Sequence, residues 1–259
     1  MKFGALTDPL LPIEKEIRLL KKMGFDFVEI AVEAPATPEV LLEKKDKIKR
    51  ILSKLRMDAM IHVPIFVSIA DLYESIRNAS QEEVLKSLDL AVEIGVERLV
   101  IHKGSVTGLG KRLKDVVRRY EVEFFKRLTK KAKELGLILL LENLDGLDEI
   151  EDLEFFFRRF KKLKFTLDVG HANLFTKENR SIKLIRKFRR RLMHVHLHDN
   201  LGRRDDHLPI GCGNIDFLKI FKELKRIKFD ETMTLEVFTM DRDYQRISLE
   251  KVKKLWRRA

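Results

Sequence analysis

The chain has 259 residues, 44% hydrophobic and 36% charged, and 53 Lys and Arg against 41 Asp and Glu give it a formal net charge of +12. The apolar fraction excludes a disordered chain, the lack of any uncharged apolar run of about 18 residues excludes a membrane span, and a lone cysteine, Cys212, excludes a disulfide framework. The basic balance fits a footprint for phosphate-bearing partners or, as the expected main cause, a heat-adapted surface in which Gln (present only twice) and Asn (six times) are scarce.

The opening MKFGALTDPLLPIEKE has no charged start followed by a long apolar stretch, so no secretory signal is expected and a cytoplasmic, reducing setting is the default. A first apolar run, Lys2–Leu6, reads as a buried strand. A helix follows over Pro12–Met23, opened by a proline and closed at Gly24. Phe27–Ala31 is the second strand, and one helix is expected from Thr37-Pro38 to about Arg56. Strand three is Asp58–His62, after which Ser80 and Glu83 at capping-box spacing predict a helix over Gln81–Ile94, ending at Gly95. Arg98–His102 and the helix Lys111–Leu135 come next, then Leu137–Glu142 and the helix Leu147–Lys161. Lys164–Asp168 and Asn179–Arg190, Leu192–His198 and Asp216–Lys228, and Thr232–Val237 and Ser248–Arg258 complete eight strand–helix units. Such alternation implies a parallel sheet with right-handed crossovers. At this length a single (β/α)8 TIM barrel over 1–259 is favoured over an open doubly wound sheet, and Gly4 is isolated rather than part of a dinucleotide loop.

Active sites of such barrels lie at the C-terminal ends of the strands. Those ends carry His62, His102-Lys103-Gly104, Glu142-Asn143, Asp168-Val-Gly-His171, His194/His196/His198 with Asp199-Asn200, the loop Asp205-Asp206-His207, and Glu236. All seven histidines fall at strand ends or in the loops that follow, and none is expected on a helix. Imidazole with carboxylate suits zinc, manganese or iron. Glu142, Asp168 and Glu236 each end a very apolar run, where a carboxylate is costly unless paired or metal-bound. By the period of two, the three strand-seven histidines share one face, with His196 and His198 nearest the mouth and His194 structural.

These motifs, with His62 and Pro64 and the segment Asp205-Asp-His207-Leu-Pro-Ile-Gly211-Cys-Gly213, resemble the xylose-isomerase-like TIM barrel superfamily, which includes endonuclease IV and the sugar and sugar-phosphate isomerases and epimerases. The endonuclease IV resemblance implies up to three zinc ions. His62, His102 and Glu142 would hold the first; Glu142 would bridge to a second on Asp168, His196 and Glu236; His171, Asp205 and His207 would hold the third. The isomerase and epimerase resemblance implies one ion, manganese or similar, on Glu142, Asp168, His196 and Glu236, with Glu142 and Glu236 doubling as acid and base. Departures concern recognition. Ile65 and Ser68 stand where endonuclease IV has an aromatic residue and Asn, and its Gly-Gln-Gly signature is reduced to Asp145-Gly146-Leu147.

Two functions are therefore expected to compete. The first is a multinuclear phosphodiesterase acting at abasic sites in DNA, with Lys103, Arg203 and Arg204 contacting flanking phosphates if they are not merely solvated cations. The alternative is a one-metal isomerase or epimerase acting on a small sugar or sugar phosphate, with His171 or His198 assisting. The count of ligand-type residues leads with the phosphodiesterase.

Overall fold

A computed structural model describes residues 1–104, 112–144 and 149–259. Eight parallel strands close into a barrel in chain order: β1 (Lys2–Leu6), β2 (Phe27–Ala31), β3 (Asp58–His62), β4 (Arg98–Ile101), β5 (Ile138–Glu142), β6 (Lys164–Asp168), β7 (Leu192–Leu197) and β8 (Thr232–Leu235), with β8 pairing back to β1. The helices among the described residues are α1 (Ile13–Lys22), α2 (Pro38–Glu43), α3 (Lys45–Leu55), α4 (Glu74–Ile94), α5 (Lys114–Glu134), α6 (Glu149–Arg159), α7 (Ser181–Phe188), α8 (Phe217–Arg226) and α9 (Asp243–Arg258). None of them is long and apolar enough to cross a membrane.

Three helix boundaries differ from expectation, two of them at serines whose hydroxyls have tertiary partners. The stretch after Thr37 is two helices, broken at Lys44 (φ −100°, ψ 4°). Ser80 does not cap a helix: α4 starts at Glu74, and the Ser80 hydroxyl accepts the Ser68 N–H at 3.1 Å. Ser248 likewise lies inside α9 and accepts the Ile210 N–H at 3.1 Å. Asp216 does cap α8, accepting from the Lys219 N–H at 3.0 Å. The starts expected at Lys111 and Leu147, and the Asp145–Leu147 segment, lie outside the described residues. Trp256 of α9 packs edge-on against Phe221 of α8, with ring centroids 5.6 Å apart.

Alternation along the strands divides two interiors. Phe3, Ala5, Val28, Ile30, Ile61, Leu99, Leu139, Leu141, Phe165, Leu167, Val195 and Met233 join the helices in one apolar core. The alternate positions begin with a separate apolar plug of Phe27, Met60 and Val100. Above it, at the same alternation, come Glu29, His62, Glu142, Thr166, Asp168, His194, His196 and Thr234, all buried. A barrel interior packed with ionisable groups is costly unless they serve one another or a ligand.

Candidate metal centre and active site

Glu142, ending β5, is the hub. Its Oε2 lies 3.0 Å from His102 Nε2, 3.2 Å from His196 Nδ1 and 3.7 Å from His62 Nε2, and its Oε1 lies 3.1 Å from His171 Nδ1. Glu236, just past β8, faces the same imidazole, with Oε1 3.2 Å from His196 Nδ1 and 3.9 Å from His62 Nε2. Asp168 Oδ2 is 3.8 Å from His196 Nδ1. Its other oxygen accepts from the His171 N–H at 2.5 Å and meets His198 Nε2 at 3.1 Å.

Toward the loops a second cluster forms. Asp205 Oδ2 lies 3.1 Å from both His171 Nε2 and His207 Nε2, and Asp205 Oδ1 is 3.6 Å from His198 Nε2. The structure thus gathers His62, His102, Glu142, Asp168, His171, His196, Asp205, His207 and Glu236 into one continuous cluster. Its overlapping subsets bring ligand atoms within 4.8 Å of each other. His171 opens a 3-10 turn (His171–Asn173), so one histidine does lie on a short helical turn.

Supporting groups hold this cluster. Asn143 clamps the β6 end: its Nδ2 donates to the Asp168 carbonyl at 2.9 Å, and its Oδ1 accepts the Asp168 N–H at 2.8 Å. Glu29, in the middle of β2, joins the cluster and was missed by motif reading. It is fully buried, with Oε1 3.1 Å from His196 Nε2 and Oε2 3.1 Å from His194 Nε2. The signal was available: Phe-Val-Glu29-Ile-Ala is as apolar as the runs ending in Glu142 and Glu236, but its carboxylate sits mid-strand instead of at the end.

Electrostatics separate the two central carboxylates. Burial would raise Glu142, but the charges of His196 and His102 and hydrogen bonds from His102 and His171 hold it well below the usual carboxylate range. Burial, with repulsion from Glu142 and Asp168, pushes Glu236 above that range despite His196. Against burial, Asp168, Asp205 and Glu142 raise His171 well above the usual imidazole range. The residues also fit a cation. Among the described residues, His196 Nδ1 and Asp168 Oδ2 are buried without a hydrogen-bond partner; the nitrogen faces Glu142 and Glu236, and the oxygen faces the nitrogen. Buried polar atoms are rarely left unpartnered without a ligand to serve.

Above this floor opens a cavity of about 560 Å³, lined by His62, Glu142, His171, Asp205, His207 and Glu236 below. Its rim is apolar: Leu10, Ile65, Phe66, Phe238 and Met240, with Phe66 86% exposed. Arg242 is the one Arg or Lys among the described lining residues, and it is engaged by Glu16 at 2.9 Å and Gln245 at 3.0 Å. The expected substrate contacts do not gather here. His198 is fully buried, stacked on His207 at 4.0 Å between centroids. Lys103 is bound to Asp152 on α6 at 2.7 Å. Arg204 faces solvent beside Asp206, and Arg203 lines a separate surface groove between α7 and α8.

Behind His102, the Gly104 N–H donates to Glu121 of α5 at 3.0 Å. Burial pushes the Glu121 carboxyl up to about 7, against the pull of Arg118 and Lys103. Folding therefore favours its proton, and this contribution is lost as pH rises from the ordinary value of 4.5 through 7. Glu121→Gln keeps the acceptor and cannot ionise. Its urea midpoint is expected to gain on the parent at pH 8 relative to pH 5; a gap that does not change with pH would refute the assignment.

The family described as xylose isomerase-like TIM barrel matches residues 17–258. A relative from Methanocaldococcus jannaschii, "Uncharacterized protein MJ1311", is 25% identical over 91% of this chain and 83% of its own length. Among solved structures, a D-tagatose 3-epimerase-like protein superimposes with a TM-score of 0.86 at 24% identity, covering 99% of this chain and 97% of its own. A D-allulose 3-epimerase from Methylomonas sp., in complex with D-allulose, superimposes with a TM-score of 0.77 at 21% identity, covering 98% of this chain and 96% of its own. A closed eight-stranded barrel with its imidazoles and carboxylates at the strand ends, matched over nearly its whole length, belongs to the xylose isomerase-like TIM barrel family.

Proposed function

We propose that the chain is a divalent-metal-dependent epimerase or isomerase acting next to the carbonyl of a small, unphosphorylated sugar. The observation that carries this reading is the Glu142–Glu236 pair on the floor of a small cavity with an apolar rim and no unengaged cation among its described lining residues. A phosphate would meet Asp8, Glu33 and Asp205 there. A DNA backbone would meet Leu10, Phe66, Phe238 and Met240 at the rim, where phosphate binding calls for Lys and Arg. The epimerases among the similar structures agree with this reading.

Glu142, Asp168, His196 and Glu236 would hold the ion. Three carboxylates and one imidazole suit manganese or a similarly hard cation. When bound, the metal polarises the substrate carbonyl and a neighbouring hydroxyl. Glu142, kept ionised, removes the proton from the carbon beside the carbonyl. Glu236, whose carboxyl burial shifts toward the protonated form, would deliver one to the opposite face, so one C–H bond breaks, another forms, and the net proton count is unchanged. Environments that push two carboxylates apart in this way set acid and base roles.

One observation favours the phosphodiesterase reading. His62, His102, His171, Asp205 and His207 surround the same carboxylates, more donors than a single ion requires. Metal content by mass spectrometry, with parallel assays on free ketoses and on abasic duplex DNA, decides between them. The expected outcome is one tightly held ion per chain, deuterium incorporated beside the carbonyl during turnover in D2O, and no incision. Three ions with strand cleavage would overturn the sugar reading.

A further inference from the structure

We propose that Glu29 is a positioning residue, whose carboxylate holds a proton on His196 Nε2, so that the ring, once neutral, presents its Nδ1 lone pair toward Glu142, Asp168 and Glu236. Glu29, His194 and His196 are all completely buried. Each Glu29 oxygen has its own imidazole: Oε1 lies 3.1 Å from His196 Nε2 and Oε2 lies 3.1 Å from His194 Nε2. His194 Nδ1 is in turn 2.7 Å from the Thr232 hydroxyl. An ionised carboxylate only accepts hydrogen bonds, so both Nε2 atoms must donate. Thr232 then donates to His194 Nδ1, which closes the chain Thr232–His194–Glu29–His196 with every polar atom used except one, His196 Nδ1.

The backbone enforces this arrangement. Glu29 pairs with Leu6 of β1 and Met60 of β3, and its neighbours Val28 and Ile30 belong to the outer apolar core. Its side chain therefore has no alternative to the barrel interior. Beneath it Phe27 packs edge-on against His194, with centroids 6.1 Å apart. Glu29 is not among the residues lining the cavity, so it meets no substrate. The oxygens and ring nitrogens of this group are hydrogen-bonded to one another and to Thr232, His196 Nδ1 apart. A carboxylate behind a ligating imidazole sets the ring's orientation and tautomer, and its loss typically weakens metal binding by 10- to 100-fold.

The use made of His196 Nδ1 rests on the metal-dependent reading above; the orientation of the ring does not. The test compares the full-length protein with Glu29→Gln and Glu29→Asp. Glutamine has the same shape but offers one acceptor and one donor, so it cannot keep both imidazoles protonated on Nε2. Nitrogen-15 NMR of the metal-free protein, at a pH high enough to neutralise the ring, is expected to place the His196 proton on Nε2 in the parent. In Glu29→Gln at least one of His194 and His196 changes tautomer. Titration with Mn²⁺ alone is expected to show affinity about 10- to 100-fold lower in Glu29→Gln at an unchanged melting temperature, with partial recovery in Glu29→Asp. Unchanged tautomers together with Mn²⁺ affinity within about twofold of the parent, or Glu29→Asp no better than Glu29→Gln, would overturn the proposal. A parent that binds no Mn²⁺ would instead sink the metal-dependent reading, and the NMR comparison would still decide the role of Glu29.

Discussion

With the protein held at saturating Mn²⁺, Glu236→Gln is expected to lower epimerisation by about 10²- to 10⁴-fold, the usual contribution of a positioned acid or base, while leaving solvent exchange at the reacting carbon largely intact. The separation follows from the two environments. Glu142 is held ionised by His196 and His102 against burial, so it can still remove and return a proton on its own face. Glu236, raised by burial and by repulsion from Glu142 and Asp168, would supply the proton that inverts the centre. Glu142→Gln is expected to lose both exchange and inversion, and also to weaken the fold more, because Glu142 faces four imidazoles while Glu236 faces three, two of them only at 3.9 Å. The measurement is turnover in D2O, following stereochemical inversion and deuterium incorporation separately. Equal loss of exchange in both variants would refute the division of roles.

The strand ends were legible because a polar residue closing an apolar run has few places to go. Asp58–His62 and Lys164–Asp168 form the expected strands, and His62 and Asp168 reach the expected mouth. Three features were not legible. Glu29 interrupts its strand instead of ending it, and its partners lie 165 and 167 residues away, so no local pattern links them. Asn143 was visible beside Glu142, but its clamp on the Asp168 backbone depends on β5 and β6 being neighbours. The apolar rim assembles from three loops, after β1, β3 and β8, each contributing only one or two apolar residues. That rim, absent from any motif, moves the balance from nucleic acid toward a small sugar. Conversely, Arg203 looked like a phosphate contact because it follows β7, yet its loop carries it into the groove beside α7 and α8.

The same close packing makes a single methyl group decisive at Gly170. Its backbone, at φ −71° and ψ −47°, is one that any residue adopts, so conformational freedom does not explain the glycine. Space does: a Cβ there would fall 1.9 Å from His198 Cε1 and 2.2 Å from its Nε2. Gly170 cannot easily retreat, because its carbonyl accepts from Asn200 Nδ2 at 3.0 Å. His198 must therefore move, and it is held on both sides: its Nε2 meets Asp168 at 3.1 Å and its ring stacks on His207. His207 stacks in turn on Phe238 of the rim, with centroids 4.3 Å apart. Gly170→Ala is expected to release Asp168 from His198 and push the His198–His207–Phe238 stack toward the cavity. Overpacking of this kind typically costs about 1–3 kcal/mol of stability, and a misplacement of about 1 Å at a reacting centre can cost about 10²-fold in turnover. Urea denaturation and turnover of the variant, with fully exposed Met240→Ala as the stability control, measure the two consequences, and Mn²⁺ titration reports whether Asp168 has shifted. Parent-like Mn²⁺ affinity and stability in Gly170→Ala would show that His198 has room to move and that its hold on Asp168 does not shape the site.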